Sequence, residues 1–181
     1  MERGGDVWIS TVIYIALSII AITLIISAGV PLINKVRDRN TFQQTKEVMH
    51  TFDAAIQEVL SEGPGSRRYL SPVIIKEGEL YIRGLPYGGR HIIIWTMETK
   101  ALLIEPGRVI NEGNLKLNLN RHRILLDVYV ANITMDYFDD RRIWIDIADE
   151  DRGPIRGKNS IAITNIGVCQ FEPTCIKIAV S

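Results

Sequence analysis

The stretch VWISTVIYIALSIIAITLIISAGVPLI, Val7 at its head and Ile33 at its foot, contains no Asp, Glu, Lys, Arg or His. About 20 apolar residues at 1.5 Å rise cross a hydrocarbon core of ~30 Å, and this run is somewhat longer. A charge at mid-bilayer costs roughly 2.5–3.5 kcal/mol on insertion scales, so an uncharged run of this length reads as a span. The run exceeds the about 7–15 residues of a secretory h-region, and no small-x-small cleavage site closes it. A retained helix is therefore expected, apolar on every side as a lipid-facing or bundle-core helix must be.

Small residues recur along it at Ser10, Ala16, Ser18, Ala21, Ser27, Ala28 and Gly29. They allow close approach of neighbouring helices, although small residues are also common in ordinary spans. Gly29 and Pro31 predict a kink or short unwound stretch, because proline lacks an amide donor and clashes one turn back. Beyond the run the helix turns amphipathic. Phe42, Met49, Phe52, Ile56 and Val59 follow steps of seven, three, four and three, a heptad-like seam on one face. That seam would pack on the chain's own sheet or on a neighbouring subunit. Glu62-Gly63-Pro64-Gly65 is a strong helix stop.

After Arg68 the period changes. Residues 73–75 and 80–82, separated by Lys76-Glu77-Gly78-Glu79, predict a hairpin. Residues 92–95 and 101–104 predict another, split at residues 98–100. Leu115, Leu117 and Leu119 alternate with polar residues as a half-buried strand does. Further strands are expected at 123–131, 142–147 (after a turn at Asp139-Asp140), 160–164 and 175–180. Short strands with Gly, Pro, Asn and Asp turns imply an antiparallel β domain. The expected fold class is α+β: a long N-terminal hydrophobic helix, transmembrane or filament-core, followed by an antiparallel β-rich globular domain. The expected organisation is a leader at 1–4, the helix at 5–62 and the β domain at 63–181.

Lys plus Arg and Asp plus Glu number 21 each, so no basic excess points to nucleic acid. No catalytic constellation stands out. There is no Gly-x-Ser-x-Gly elbow, and residues 84–89 are glycine-rich without a P-loop lysine. Asp146, Asp149, Glu150 and Asp151 lack EF-hand positions and read as a solvated turn running into Gly153-Pro154. His91 and His122 have no ligand-spaced partners and read as ordinary surface or strand residues. The chain is thus expected to be no enzyme and to carry no cofactor or metal.

Asn132-Ile133-Thr134 is an N-glycosylation sequon, meaningful only outside the cytoplasm. Cys169 and Cys175 enclose a small loop; they would form a disulfide in an oxidising compartment and stay thiols in a reducing one. The basic flanks point the other way. Arg3 precedes the span, whereas Lys35, Arg37, Arg39 and Lys46 follow it, and a positive-inside count places the C-terminal domain in the cytoplasm. A dedicated export route overrides such a count.

The order of Glu2-Arg3-Gly4, an uncharged helix from Val7, its amphipathic continuation to Glu62 and a β domain resembles the archaeal type IV pilin-like proteins. Ile9-Ser10-Thr11-Val12 is similar to the start of many archaeal pilin helices. The resemblance implies a prepilin peptidase cutting after Gly4, with Arg3, Gly4 and Gly5 at the cleavage site. It also implies an oxidised Cys169–Cys175 pair, membrane anchorage of the precursor, and release into a filament of identical copies by a pilus assembly machinery. The filament would stand on the archaeal cell surface. Bacterial pilins carry a glutamate at the fifth mature position; here that position is Ile9, and Asp6 is the nearby acid that would pair with a neighbour's freed amine. Two alternatives stay open: a single-span protein displaying an extracytoplasmic β-rich binding domain, and a membrane scaffold facing the cytoplasm.

Overall fold

The computed structural model describes residues 4–84, 91–137, 143–147, 153–169 and 172–181. Arg3, residues 85–89, Asp139, Asp140, Arg142 and residues 149–151, on which sequence expectations were placed, lie outside this set. The fold is α+β as expected: one long helix, α1 (Gly4–Glu62), then eight strands. The chain divides into two compact units, Met1–Asp38 and Arg39–Ser181.

In the first unit the described residues are all helical. The helix is continuous through Gly29 and Pro31, so of the kink or short unwound stretch expected there the unwound stretch does not form. Pro31 has no N–H for the Ser27 carbonyl one turn back.

The second unit holds the rest of α1 and one sheet of order β3-β4-β5-β2-β1-β7-β8-β6. The strands are β1 (Arg67–Arg83), β2 (Ile92–Thr99), β3 (Val109–Glu112), β4 (Leu115–Arg121), β5 (Tyr129–Asp136), β6 (Trp144–Ile147), β7 (Ile155–Cys169) and β8 (Glu172–Val180). All pairings are antiparallel except β6 with β8, which is parallel and makes the sheet mixed. Alternate residues of each strand face the helix. Ile93, Trp95 and Met97 of β2 stand level with Met135, Ile133 and Ala131 of β5. Those in turn stand level with Leu115, Leu117 and Leu119 of β4. All nine are buried, together with the whole seam Phe42, Met49, Phe52, Ile56 and Val59. The seam therefore docks on the chain's own sheet.

Polar contacts fix how the helix crosses the sheet. Asp53 Oδ1 accepts Asn114 Nδ2 and Tyr137 Oη, each at 2.8 Å. Lys46 Nζ lies 3.0 Å from Glu112 Oε2, and the Phe42 ring sits 6.1 Å from that of Trp95. At the helix end, the buried Asn165 gives its Nδ2 to the Val59 carbonyl at 3.2 Å, and Ser66 Oγ donates to the same carbonyl at 2.7 Å. A helix leaves its last carbonyls without partners, and these two side chains fill one of them. Gly63 then leaves the helix at φ 88°, as the stop signal predicts.

Three strand expectations need correction. Residues 73–82 form no hairpin; they lie in the single 17-residue strand β1. Residues 101–104 are not a strand; Leu103 and Ile104 instead pack against the core from the connection between β2 and β3. The strand expected at 123–131 begins only at Tyr129, and residues 122–128 are a loop. In each case local apolar content carried the reading, while the bulge or loop depends on residues distant in sequence.

Candidate assembly surface

The first unit carries most of the large apolar side chains that are exposed among the described residues. From Trp8 to Val36, sixteen large apolar side chains are exposed among the described residues. Burying one such side chain is worth about 1.5–3 kcal/mol, so leaving all of them in water costs on the order of tens of kcal/mol, more than a domain's whole stability. Lipid or other apolar helices must cover them. By length and composition the helix is long and apolar enough to cross a membrane.

The hydroxyls within the run do not spoil it. Ser18 Oγ donates to Tyr14 O at 2.7 Å, Thr23 Oγ1 to Ile19 O at 2.8 Å and Ser27 Oγ to Leu24 O at 3.0 Å. Back-bonding of this kind satisfies the hydroxyl inside its own helix, which a lipid environment requires. By the 100° step of an α-helix, Ala21 and Ala28 share one face while Ala16 and Ser27 share another. Close approach is thus open on more than one side, as a helix surrounded by neighbours needs. A Cβ on Gly29 would meet nothing within 4 Å.

The sequence-predicted site residues are not brought together. Gly4 and Gly5 are the first residues of α1. Gly29 and Pro31 lie well along it. Asn132 sits mid-way along β5, between Thr96 of β2 and Asn118 of β4, half-buried on the face turned away from the helix. Cys175 is buried and disulfide-bonded. The one other cysteine of the chain, Cys169, ends β7, and Gly167 pairs with Cys175 in the β7–β8 ladder.

Sequence reasoning missed Asp53 and Asn165, which hold the helix to the sheet. Asp53 lies off the apolar seam of the helix and belongs to no motif. Asn165 is buried because the helix end returns to it across 106 positions, and no local pattern announces that.

Family models, curated proteins and solved structures give no match to this chain. One long apolar N-terminal helix followed by a β-sheet domain is compatible with a pilin-like architecture.

Proposed function

We propose that this chain is a structural subunit of an archaeal type IV pilus-like surface filament that polymerises through its N-terminal helix. One contrast along α1 carries the reading. Its second part spends its apolar seam on its own sheet, whereas its first part exposes apolar side chains all round. A neighbouring copy therefore has residues 7–36 to pack against, and the β unit is complete without it. Before assembly the same surface is covered by lipid, and a membrane peptidase cutting between Gly4 and Gly5 frees it. Partners on this reading are other copies of the chain, the peptidase and the assembly machinery, and the chain does no catalysis.

Retention as a single-span anchor for a displayed β unit is the second reading. It is favoured by the occupied seam, which leaves residues 39–62 no apolar helical face for a filament core.

The N-terminal peptide mass of the protein from its native cell surface tests the choice. A start at Gly5, lost in Gly4→Val together with filaments, is the expected result. A start at Met1 or Glu2 without filaments would favour the anchored form, and normal filaments from Gly4→Val would count against cutting at Gly4.

A further inference from the structure

Within Arg39–Ser181, one end of the sheet carries an apolar tip. The β4–β5 connection reads His122-Arg123-Ile124-Leu125-Leu126-Asp127-Val128. Ile124 is 83% exposed, Leu126 82% and Leu125 50%. Single exposed apolar side chains are ordinary, but three in succession at a loop tip are not. The loop is held in this form. His122 N–H donates to Val128 O at 2.8 Å and closes its neck. His122 Nδ1 accepts the N–H groups of Ile124 and Leu125, both at 3.2 Å, and folds the tip over. The neighbouring connection adds to it: Gly107 N–H donates to Leu119 O at 2.8 Å, and this connection carries Leu102, 69% exposed.

Charges ring the tip. Lys100, Arg121 and Arg123 are exposed around it. Of the acids at this end, Glu98 lies 3.7 Å from His122 Nε2 and Glu105 lies 3.3 Å from Arg108, with Asp127 the third. An apolar centre with arginines on its rim matches a bilayer boundary, where the guanidinium heads reach the phosphates.

The chain enters this unit toward the same end. The helix lies at Asn114 and Tyr137 with Asp53, at Glu112 with Lys46, and at the Trp95 rung with Phe42. Going back toward Arg39 it therefore heads for the rungs that finish at Thr99, Tyr129 and Arg121, where the tip springs. Ile33 closes the uncharged run and Arg39 opens the unit, so at most about 20 Å of chain separates them.

We propose that the tip formed by Ile124, Leu125 and Leu126 inserts into the headgroup–acyl boundary of the bilayer that holds the span, seating the β unit on the lipid surface. The proposal rests on residues 7–33 spanning that bilayer before assembly, and not on the filament itself.

Quenching of tryptophan emission by lipids brominated near the headgroup end of their acyl chains tests it, with one full-length chain in each lipid nanodisc. Trp8, at the head of the span, is the internal control, its share of the emission taken as the difference from Trp8→Phe because Trp95 and Trp144 emit as well. Leu126→Trp adds an indole at the tip. The expected result is that the added emission is blue-shifted and quenched, since an interfacial apolar segment is buried about 5–10 Å into the headgroup–acyl boundary, the depth at which the bromines are placed. Ile124→Ser in the same background should cut that quenching by about half without moving the thermal transition. Unquenched added emission beside a quenched Trp8 would overturn the seating and leave the span standing. If Trp8 is unquenched as well, both fall. A blue shift that appears only with several chains per disc, without bromine quenching, would overturn the lipid assignment and give the tip to a second copy.

Discussion

His91 shows how a single residue changes meaning between sequence and fold. Its ring is buried, stacks on Trp144 with centroids 4.9 Å apart, and accepts the Ile145 N–H on Nδ1 at 3.0 Å. Burial pushes its pKa below the ordinary value, against a smaller opposing pull from Asp136. In the unfolded chain the ring titrates near ~6.5. Below that pH the unfolded state takes up a proton that the fold refuses, so the unfolded state binds more protons and stability falls as pH falls. Denaturant unfolding between pH 7 and 5 should show this loss, at a slope of at most about 1.4 kcal/mol per pH unit from this group. His91→Gln should flatten that part of the profile; an unchanged slope would assign it to other groups. The sequence read His91 as ordinary because the residues that enclose it, Trp144 and Ile145, lie 54 positions or nearly so further on.

At the scale of elements, the clearest lesson is β1. Lys76-Glu77-Gly78-Glu79 has turn chemistry, and apolar runs flank it, so a hairpin was the natural reading. Yet Val73 and Ile75 have one parity, and Leu80 and Ile82 the other, while all four are buried on the same face. One strand achieves this only by taking up an odd number of extra residues, and between the pairs Ile75–Gly157 and Leu80–Ile155 β1 advances five residues against two on β7, three in excess. There β1 also takes up pairing with β2, from Glu79 onward. Gly78 sits in this bulge at φ 77°, and Trp95 Nε1 donates to Glu77 O at 3.0 Å. A Cβ at Gly78 would stand 2.4 Å from Thr96 O and 2.8 Å from Trp95 Nε1. Gly78→Ala should therefore cost the left-handed penalty of about 1–2 kcal/mol and also weaken the indole bond, for a total above about 2 kcal/mol. Gly107→Ala, with φ 79° and nothing within 4 Å, should cost the backbone penalty alone. Equal losses in the two variants, measured by chemical denaturation, would refute the account of the bulge. By contrast, α1 and its stop were legible because their signals are local: an uncharged run, a seam at helical spacing, and Gly-Pro-Gly. The alternating strand at Leu115, Leu117 and Leu119 was legible for the same reason. The tip at residues 122–128 was not, because three apolar residues in a row read as strand until the His122–Val128 closure is seen.

For the whole molecule, the decisive fact is where the buried apolar residues lie. From Phe42 to Ile178 every one of them belongs to Arg39–Ser181, and among the described residues none belongs to the first unit. The helix over residues 39–62 is held by tertiary packing more than by propensity, its seam fixed to the sheet by burial and by Asp53, Lys46 and Val59. Deleting residues 1–38 therefore removes the surface that requires lipid and leaves the core intact. The fragment Arg39–Ser181 should be recovered in the soluble fraction with mixed helix and strand circular dichroism and a single cooperative thermal transition. It should form no filaments. In the full chain Gly78→Ala should then lower stability by the same amount as in the fragment, because every buried apolar side chain among the described residues belongs to Arg39–Ser181. A fragment without a cooperative transition would mean that the apolar segment is needed to fold the β unit, and the division of labour along α1 on which the filament reading depends would fail.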